Sequence, residues 1–194
     1  IVEAEGRKVA FLQGDLADSE YVDRVVEDCI DTYGRIDILV NNAGMSRFGA
    51  FEEYRDEDYR ACMELNLNAC YFLGRKVGLK MAEQGSGKII NIASALSFTS
   101  AKHGILGLTK VLANELGSKN VQANALAPGF LATEVNAELR ADEKFYNKIT
   151  DRISLGRWGR LDDLMGSAVF LASQASDYVN GWTLNVDGGF AATV

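Results

Sequence analysis

The sequence predicts an α/β fold in which helices cover both faces of a doubly wound parallel sheet. Strand-like and helix-like segments alternate along the 194 residues, which is the pattern of such sheets. Residues 36–40 and 89–93 are nearly continuous apolar runs, as expected for strands that are buried on both faces. The first run ends in Asn41-Asn42-Ala43-Gly44, and parallel sheets bind ligands at the carboxyl ends of their strands. Asn and Gly are also common turn residues, so a simple turn explains this motif alone equally well.

The predicted elements follow one another in order. Strands are predicted at residues 8–13, 36–40, 88–93, 120–126 and 183–186. Amphipathic or charge-rich helices are predicted at residues 19–33, 56–83, 100–116, 134–153 and 162–173. A dinucleotide-binding sheet normally opens with a strand, a glycine-rich turn and a helix, and nothing of that kind precedes residue 8. We therefore interpret residues 1–194 as one domain whose first strands and glycine-rich turn are absent from the sequence.

Composition and charge argue against several kinds of binding partner. The net charge of −7 argues against nucleic acid or an anionic membrane surface. No apolar run is long enough to span a bilayer and the amino terminus lacks a signal-peptide pattern, so we expect a cytoplasmic protein. The single histidine, His103, argues against a histidine-rich metal site, and we predict no metal. The three cysteines form no Cys-x-x-Cys pair and are expected to be buried thiols.

A set of short motifs occurs in a fixed order along the chain. The motifs are Asp15-Leu16, Asn41-Asn42-Ala43-Gly44, Asn66-Leu67, Ser94, Lys102, Pro128-Gly129 and Asp187-Gly188-Gly189. This ordered set resembles the short-chain dehydrogenase/reductase family over nearly the whole chain, and it implies a Rossmann-like fold. Segments at residues 140–143, 156–159, 163–166 and 175–181 are similar to the branch of that family that acts on sugar acids.

The resemblance implies hydride transfer between a nicotinamide cofactor and a secondary hydroxyl or ketone of a sugar acid, of the 2-deoxygluconate or gluconate type. NAD is the expected cofactor, and NADP stays open because the strand that distinguishes the two is absent. Such proteins are typically homotetramers, and the helices at 56–83 and 100–116 are the expected interface. Two alternatives remain: another carbonyl substrate, such as a 3-oxoacyl thioester, a steroid or a polyol, and a catalytically dead scaffold.

By resemblance, three residues carry the chemistry. Ser94 should hydrogen-bond the substrate oxygen, and Asn66 should hold a water in a proton relay. Lys102 should bind the ribose hydroxyls and lower the pKa of a catalytic tyrosine. Taken singly, each residue is better explained without catalysis. Ser94 would then be a helix cap or turn hydroxyl, Asn66 a polar residue bonded within its own helix, and Lys102 a solvated lysine of a first helical turn. Their joint occurrence at the family's positions favours the catalytic roles.

The resemblance also assigns contacts to the cofactor. From the adenine through the ribose to the nicotinamide carboxamide, these are Asp15, Leu16, Asn42, Ala43, Gly44, Lys102, Pro128, Gly129, Leu131 and Thr133. The first two residues should border the adenine, and the last two should meet the carboxamide.

The catalytic tyrosine is the point of departure from the family. The family places it four residues before the lysine, and that position holds Phe98, whose ring has no hydroxyl to pass a proton. Only residues 95–97 separate Ser94 from Phe98, a much shorter interval than in the family. We infer that about nine residues ending in the tyrosine are absent between Phe98 and Thr99, an ordinary length for a functional loop.

A sugar acid needs a cationic partner for its carboxylate. Arg47, which follows the Asn-Asn-Ala-Gly turn, and Arg157, beside Trp158, are candidates because a guanidinium binds a carboxylate bidentately. Both are explained equally well as surface arginines. The charged stretch at residues 134–151 is interpreted either as a lid over the substrate or as a solvated helix pair.

Overall fold

Four strands form one parallel sheet within residues 2–46, 51–95 and 100–192, the parts of the chain that this computed structural model describes. The strands are β1 Ile38–Asn41, β2 Gly87–Ile92, β3 Val121–Pro128 and β4 Thr183–Val186, and they lie in that order across the sheet. The α-helices are α1 Ser19–Tyr33, α2 Asp56–Met63, α3 Ala69–Gln84, α4 Ser100–Leu116, α5 Ala137–Ala141, α6 Glu143–Thr150 and α7 Asp162–Ala172. A π-helical segment, Glu64–Asn68, joins α2 to α3. Short 3-10 turns lie at Glu3–Glu5, Phe51–Glu53, Gly117–Lys119, Glu134–Asn136, Gln174–Ser176 and Phe190–Ala192.

Helices cover both faces of this sheet, as the alternation of elements predicts. On one face, α1, α3 and α4 pack around Ile89 of β2 through residues such as Val22 and Val77. On the other face, Leu171 of α7 packs against Ile90. Ile89 and Ile90 serve opposite layers because side chains alternate along a strand. The doubly wound parallel fold is therefore confirmed.

Helix α1 begins and ends where its sequence predicts. The Asp18 side chain accepts a hydrogen bond from the backbone N–H of Glu20, which satisfies one of the free donors of the first turn. Gly34 ends the helix with a φ of 82°, a left-handed conformation that costs glycine no Cβ clash.

The strand predicted at residues 8–13 is wrong, because this segment has no regular secondary structure. Within the described residues it has no strand to pair with, since the edge strand β1 pairs with β2 alone. The segment instead lies against α1, where the Tyr21 hydroxyl donates to the carbonyl of Leu12 at 2.7 Å. Phe11, 89% exposed, contributes nothing to a core. A local apolar pattern does not make a strand where no partner strand is present.

Two of the predicted helices are interrupted. The helix predicted at 56–83 contains the π-helical segment, in which the N–H of Ala69 bonds to the carbonyl of Glu64, five residues earlier. The stretch at 134–153 is divided at Asp142, whose side chain accepts a hydrogen bond from Phe145 N–H at 3.1 Å and thereby caps α6. The spacing of apolar residues indicates that both regions are helical, but it does not reveal the π-helical segment or the new helix start at Asp142.

Helices α3 and α4 approach each other closely at two glycines of α3. A Cβ placed on Gly74 would lie 2.9 Å from a methyl carbon of Leu112, and one on Gly78 would lie 2.5 Å from a methyl carbon of Leu116. Both distances are far inside van der Waals contact, so the leucines of α4 fill the space above the glycines. This packing fixes the path of α4, which carries Lys102.

Gly78→Val should lower the free energy of unfolding by about 1–3 kcal/mol, because the added methyl groups overlap the Leu116 side chain. Gly107→Val is the matched control, since Gly107 is exposed on α4 and a Cβ at that residue would have no heavy atom within 4 Å. That control should change stability by less than about 0.5 kcal/mol. Urea unfolding followed by circular dichroism measures both, and equal losses would contradict the packing argument.

Candidate functional site

The carboxyl ends of β1, β2 and β3 lie side by side at one edge of the sheet, where the strands end at Asn41, Ile92 and Pro128. Lys102, in the first turn of α4, reaches this edge. Its Nζ donates a hydrogen bond to the backbone carbonyl of Ile92 at 2.6 Å, and its side chain is half-buried. The explanation of Lys102 as a solvated lysine is therefore wrong, and the residue lies where parallel sheets bind ligands.

Gly44, Asn66 and Lys102 meet at this edge. Both polar atoms of the Asn66 side chain bind the backbone of Met45: Oδ1 accepts from its N–H and Nδ2 donates to its carbonyl, each at 2.8 Å. A Cβ on Gly44 would lie 2.7 Å from Asn66 Oδ1 and 3.6 Å from Lys102 Nζ. The Asn-Asn-Ala-Gly turn is thus clamped against Asn66, and only glycine leaves room for that approach.

The π-helical segment shapes the backbone at Asn66. Its carbonyl accepts a hydrogen bond from the Cys70 thiol at 3.3 Å, and π-segments of this kind are frequent at functional sites. The explanation of the Asn66 side chain as bonded within its own helix is wrong, because that side chain binds Met45, 21 residues away. A relay water at Asn66 would accordingly meet its backbone carbonyl and not its amide.

Burial changes the ionisation of two neighbouring groups, Lys102 and Cys70. Desolvation lowers the pKa of Lys102, and the Cys70 thiolate opposes that shift in part. Desolvation raises the pKa of the Cys70 thiol, and the Lys102 ammonium opposes that shift in part. Because the Lys102 ammonium is partly desolvated, it interacts strongly with a nearby negative charge. It can therefore stabilise an anion that forms at this edge of the sheet.

A buried chain of polar side chains, which sequence analysis missed, ties β1 to α4. Asn41 Nδ2 donates to Asn91 Oδ1 at 2.8 Å, and Asn91 Nδ2 donates to Thr109 Oγ1 at 2.9 Å. The Thr109 hydroxyl donates in turn to the carbonyl of Ile105 at 2.7 Å. The only sequence signal was a polar residue in an otherwise apolar strand and helix. This row of hydrogen bonds fixes the start of the Asn-Asn-Ala-Gly turn relative to α4, the helix that carries Lys102.

The residues predicted to contact adenine and ribose lie close together. Leu16, Asn42 and Ala43 line one cavity beside the end of β1. Asp15 lines a neighbouring hollow that Met45 also borders, and its carboxylate accepts a hydrogen bond from the backbone two residues later at 2.9 Å. The structure therefore brings these four predicted residues to the edge that Gly44 and Lys102 share.

Ser94 and the Pro128-Gly129 turn are neighbours at the ends of β2 and β3. The N–H of Ala95 donates to the carbonyl of Pro128 at 3.0 Å, which places Ser94 next to the turn. A Cβ on Gly129 would lie 2.7 Å from the backbone Cα of Asp187, just after β4. The close packing of the two strand ends therefore requires glycine at position 129.

Leu131 and Thr133 lie on a continuation of β3 that pairs with residues before α7. Leu131 forms a parallel bridge with Gly159, and the N–H of Ala132 donates to the carbonyl of Gly159 at 2.8 Å. The carbonyl of Thr133 accepts a hydrogen bond from Arg140 Nη2 at 3.1 Å. These contacts fix the backbone that is predicted to meet the nicotinamide carboxamide.

Arg157, a candidate for the substrate carboxylate, already binds a carboxylate of the protein. Its Nη1 and Nη2 donate to Asp163 at 2.7 and 3.1 Å. This pairing holds the pKa of Asp163 well below its usual range. The geometry favours a structural role for Arg157. Arg47, the other candidate, lies outside the described residues, as does the Phe98–Thr99 junction.

The histidine and the three cysteines differ in their exposure to solvent. His103 is exposed on α4. Cys62 and Cys70 are buried and Cys29 is partly buried. Among residues 2–46, 51–95 and 100–192, no group of three or more His, Cys, Asp or Glu side chains is placed to hold a metal ion. No helix in those same ranges has the length and apolar character to cross a membrane.

Comparison with known proteins finds relatives along almost the whole chain. A family profile described as Enoyl-(Acyl carrier protein) reductase matches residues 1–191. The chain is 44% identical to 2-dehydro-3-deoxy-D-gluconate 5-dehydrogenase of Dickeya dadantii (strain 3937) over 201 residues, covering 98% of this chain and 79% of the relative. It is 40% identical to gluconate 5-dehydrogenase of Gluconobacter oxydans (strain 621H), covering 99% of this chain and 78% of the relative.

A solved structure gives the same result for the fold. A gluconate 5-dehydrogenase from Burkholderia cenocepacia J2315, in complex with NADP and tartrate, superimposes with a TM-score of 0.94 and 37% sequence identity. The match covers 99% of this chain and 79% of that chain. The alignment with the D. dadantii protein spans 201 residues and is longer than the 194 residues here, so that relative has internal residues that this chain lacks.

Lys102 should make stability depend on pH in one direction. Its pKa is lowered by burial, so the folded protein releases this proton at a lower pH than the unfolded chain, in which a lysine titrates at about 10.4. Between the two values the unfolded state binds more protons. The wild type should therefore gain stability relative to Lys102→Met as the pH rises through the lowered pKa of Lys102 towards about 10.4.

Urea unfolding at several pH values measures this difference. Lys110→Met, which removes an exposed lysine from the same helix, controls for the loss of a lysine as such. A difference between wild type and Lys102→Met that falls as the pH rises would contradict the buried position of Lys102.

Proposed function

Because this chain belongs to the short-chain dehydrogenase/reductase family of nicotinamide-dependent oxidoreductases, we propose that it oxidises a secondary hydroxyl of a sugar acid or reduces the corresponding ketone. The proposed substrate is an acid of the gluconate, 2-deoxygluconate or 2-dehydro-3-deoxygluconate type. The sugar-acid dehydrogenases among the relatives support this substrate class. So do the segments that resemble the sugar-acid branch.

The meeting of Gly44, Asn66 and Lys102 is the observation that carries the proposal. Gly44, which has no side chain, lies beside the half-buried ammonium of Lys102, at the carboxyl ends of the parallel strands. A Cβ at residue 44 would collide with Asn66 Oδ1 and lie 3.6 Å from Lys102 Nζ, the ammonium proposed to bind the ribose, so a glycine at this position fits the cofactor. Lys102, Asn42, Ala43 and Gly44 would hold the ribose. When bound, the nicotinamide ring supplies the hydride or accepts it.

The residues of the chain have separate tasks in this proposal. Ser94, at the end of β2, donates a hydrogen bond to the substrate oxygen and orients it. Lys102 favours the anionic form of the group that exchanges the proton with that oxygen. Asn66 fixes the turn through Met45, and its carbonyl is the place for a relay water. Leu131 and Thr133 present the backbone that meets the carboxamide.

The proton donor in this proposal is a tyrosine that precedes Lys102 by four residues in the complete protein. The sequence has Phe98 at that position, and a phenyl ring cannot exchange a proton. The internal residues that the D. dadantii relative has in excess support a missing segment. Without that tyrosine the chain would be a scaffold and not a catalyst.

The choice between NAD and NADP is part of the same proposal. NAD is preferred on the resemblance to the sugar-acid branch, whereas the B. cenocepacia relative was crystallised with NADP. The acid or arginine that discriminates between them follows the second strand of this fold class, which has no counterpart among the predicted elements. Both cofactors therefore belong in any assay.

We also infer a cytoplasmic homotetramer. Apolar side chains stand exposed on α2, α3 and α4, the helices expected at the interface: Tyr59, Tyr71, Phe72, Leu79 and Val111. Each of them is more than a third exposed in the single chain. Contact between copies of these helices would remove this surface from water.

The substrate class is tested by a panel assayed with NAD and with NADP. The best sugar acid should have a kcat/KM at least about 100-fold above that of acetoacetyl thioester, because its polar groups match polar groups of the site. The thioester is the second candidate, since the matching family profile is described as Enoyl-(Acyl carrier protein) reductase, whose substrate is an acyl thioester. Turnover of the thioester alone would overturn the sugar-acid assignment. If neither NAD nor NADP binds, the scaffold is favoured.

The tyrosine is tested by sequencing the gene across codons 98 and 99. About nine further codons, the last encoding tyrosine, should separate them, since the family interval between serine and tyrosine is longer by that amount. Replacement of that tyrosine by phenylalanine should abolish turnover and leave cofactor binding, measured by nicotinamide fluorescence, intact. Directly adjoining codons would remove the proton donor and with it the proposed activity.

A further inference from the structure

An open hollow of about 470 Å³ lies beside the cavity at the end of β1. Helix α2 and the π-helical segment form one side of this hollow, and Asp15 and Met45 border the other side. Leu65 lines both the hollow and the cavity. Asp15 of the hollow is also adjacent in sequence to Leu16 of the cavity. The two spaces therefore share a wall at the carboxyl edge of the sheet.

The size of the two spaces decides where an adenine ring would lie. The cavity that Leu16 borders has a volume of about 60 Å³. A cavity of about 150 Å³ holds one benzene ring, and the fused rings of a purine are larger. The hollow has that room, and the Asp15 carboxylate beside it can accept a hydrogen bond from the amino group of adenine. The adenine of the proposed dinucleotide therefore extends into the hollow.

Arg60 gives the hollow a cationic side chain. Arg60 lies one helical turn before Glu64, and both residues border the hollow. Within the described residues the two form no ion pair, and the Glu64 carboxylate instead accepts a hydrogen bond from Asn68 Nδ2 at 2.7 Å. The Asp15 carboxylate accepts from the backbone N–H of Ala17 at 2.9 Å. The exposed Arg60 guanidinium is therefore available to a ligand in the hollow.

The side chains around the hollow favour a neutral ring over a phosphate. Asp15 and Glu64 place two carboxylates against one guanidinium, so a phosphate would meet a net negative surface. A purine is neutral at neutral pH, and a planar guanidinium stacks on the face of such a ring. Met45, Ala61 and Leu65 offer apolar contacts to the same ring.

We propose that Arg60 is a cofactor-binding residue whose guanidinium stacks on the adenine ring of the nicotinamide dinucleotide in this hollow. This inference rests on the proposed function and adds a residue of α2 to those that hold the cofactor. The contact lies at the adenine end of the cofactor and not at the ring that exchanges the hydride. It therefore contributes to affinity for the cofactor and not to the chemical step.

The test measures the binding of three reduced compounds to Arg60→Ala by nicotinamide fluorescence. They are NADH, NADPH and reduced nicotinamide mononucleotide, which has no adenine. The Kd of NADH should rise about 3- to 10-fold, as expected for the loss of a cation–π contact at a partly exposed site. The Kd of NADPH should rise by the same factor to within about 2-fold, because both dinucleotides have the same ring. The Kd of the mononucleotide should change by less than about 2-fold, because it makes no contact with Arg60.

Two further variants separate this contact from a general effect of charge or folding. Arg7→Ala is the matched control, since Arg7 is an exposed arginine that does not border the hollow, and it should leave all three Kd values unchanged. Arg60→Lys keeps the charge and loses the planar stacking face, so it should recover only part of the affinity for NADH. Thermal unfolding of all variants confirms that the protein measured is folded.

The outcomes distinguish this inference from the function on which it rests. A wild type that binds neither dinucleotide overturns the proposed function and this inference with it. A wild type that binds NADH, with an Arg60→Ala variant that binds it equally well, overturns this inference alone. A rise in Kd for NADPH only would place a phosphate at Arg60, and an equal rise for the mononucleotide would indicate a distorted site. Either result overturns the contact with adenine.

Discussion

The two hydrogen bonds between the Asn66 side chain and the backbone of Met45 hold the site together. They tie the turn after β1 to the π-helical segment that carries Asn66. The π-helical segment gives Asn66 its position, and the missing side chain of Gly44 allows the approach. Each of these features is useful only with the others. A helix irregularity, a buried amide and a glycine therefore act as one unit of structure.

Sequence reasoning recovered those parts of the fold that depend on local spacing. Helix α4 and strand β4 have the predicted bounds, because their apolar residues repeat at the period of the element they form. The segment at 8–13 has a strand-like pattern and forms none, because a strand requires a partner that no local pattern describes. The π-helical segment was invisible for a related reason. A single extra residue in a turn leaves the helical composition unchanged.

At the site, the sequence likewise predicted which residues take part but not which contacts they make. Resemblance to a family named Asn66 and Lys102, but it did not reveal that the Asn66 side chain binds the backbone of Met45. The chain from Asn41 through Asn91 to Thr109 went unnoticed because each residue is ordinary in isolation. An arginine left without an ion pair is harder still to foresee, since the lack of a partner is a property of the folded chain. An arginine in a sequence gives no sign of whether a carboxylate will neutralise it.

The contact between Gly129 and the backbone of Asp187 limits how this binding site can vary. Because the obstacle is main chain and not a movable side chain, even a methyl group at position 129 would force apart the tips of β3 and β4. Changes of substrate preference, whether by evolution or by redesign, must then arise at other residues of the site. The two adjoining strand tips remain a fixed part of the scaffold around which those residues vary.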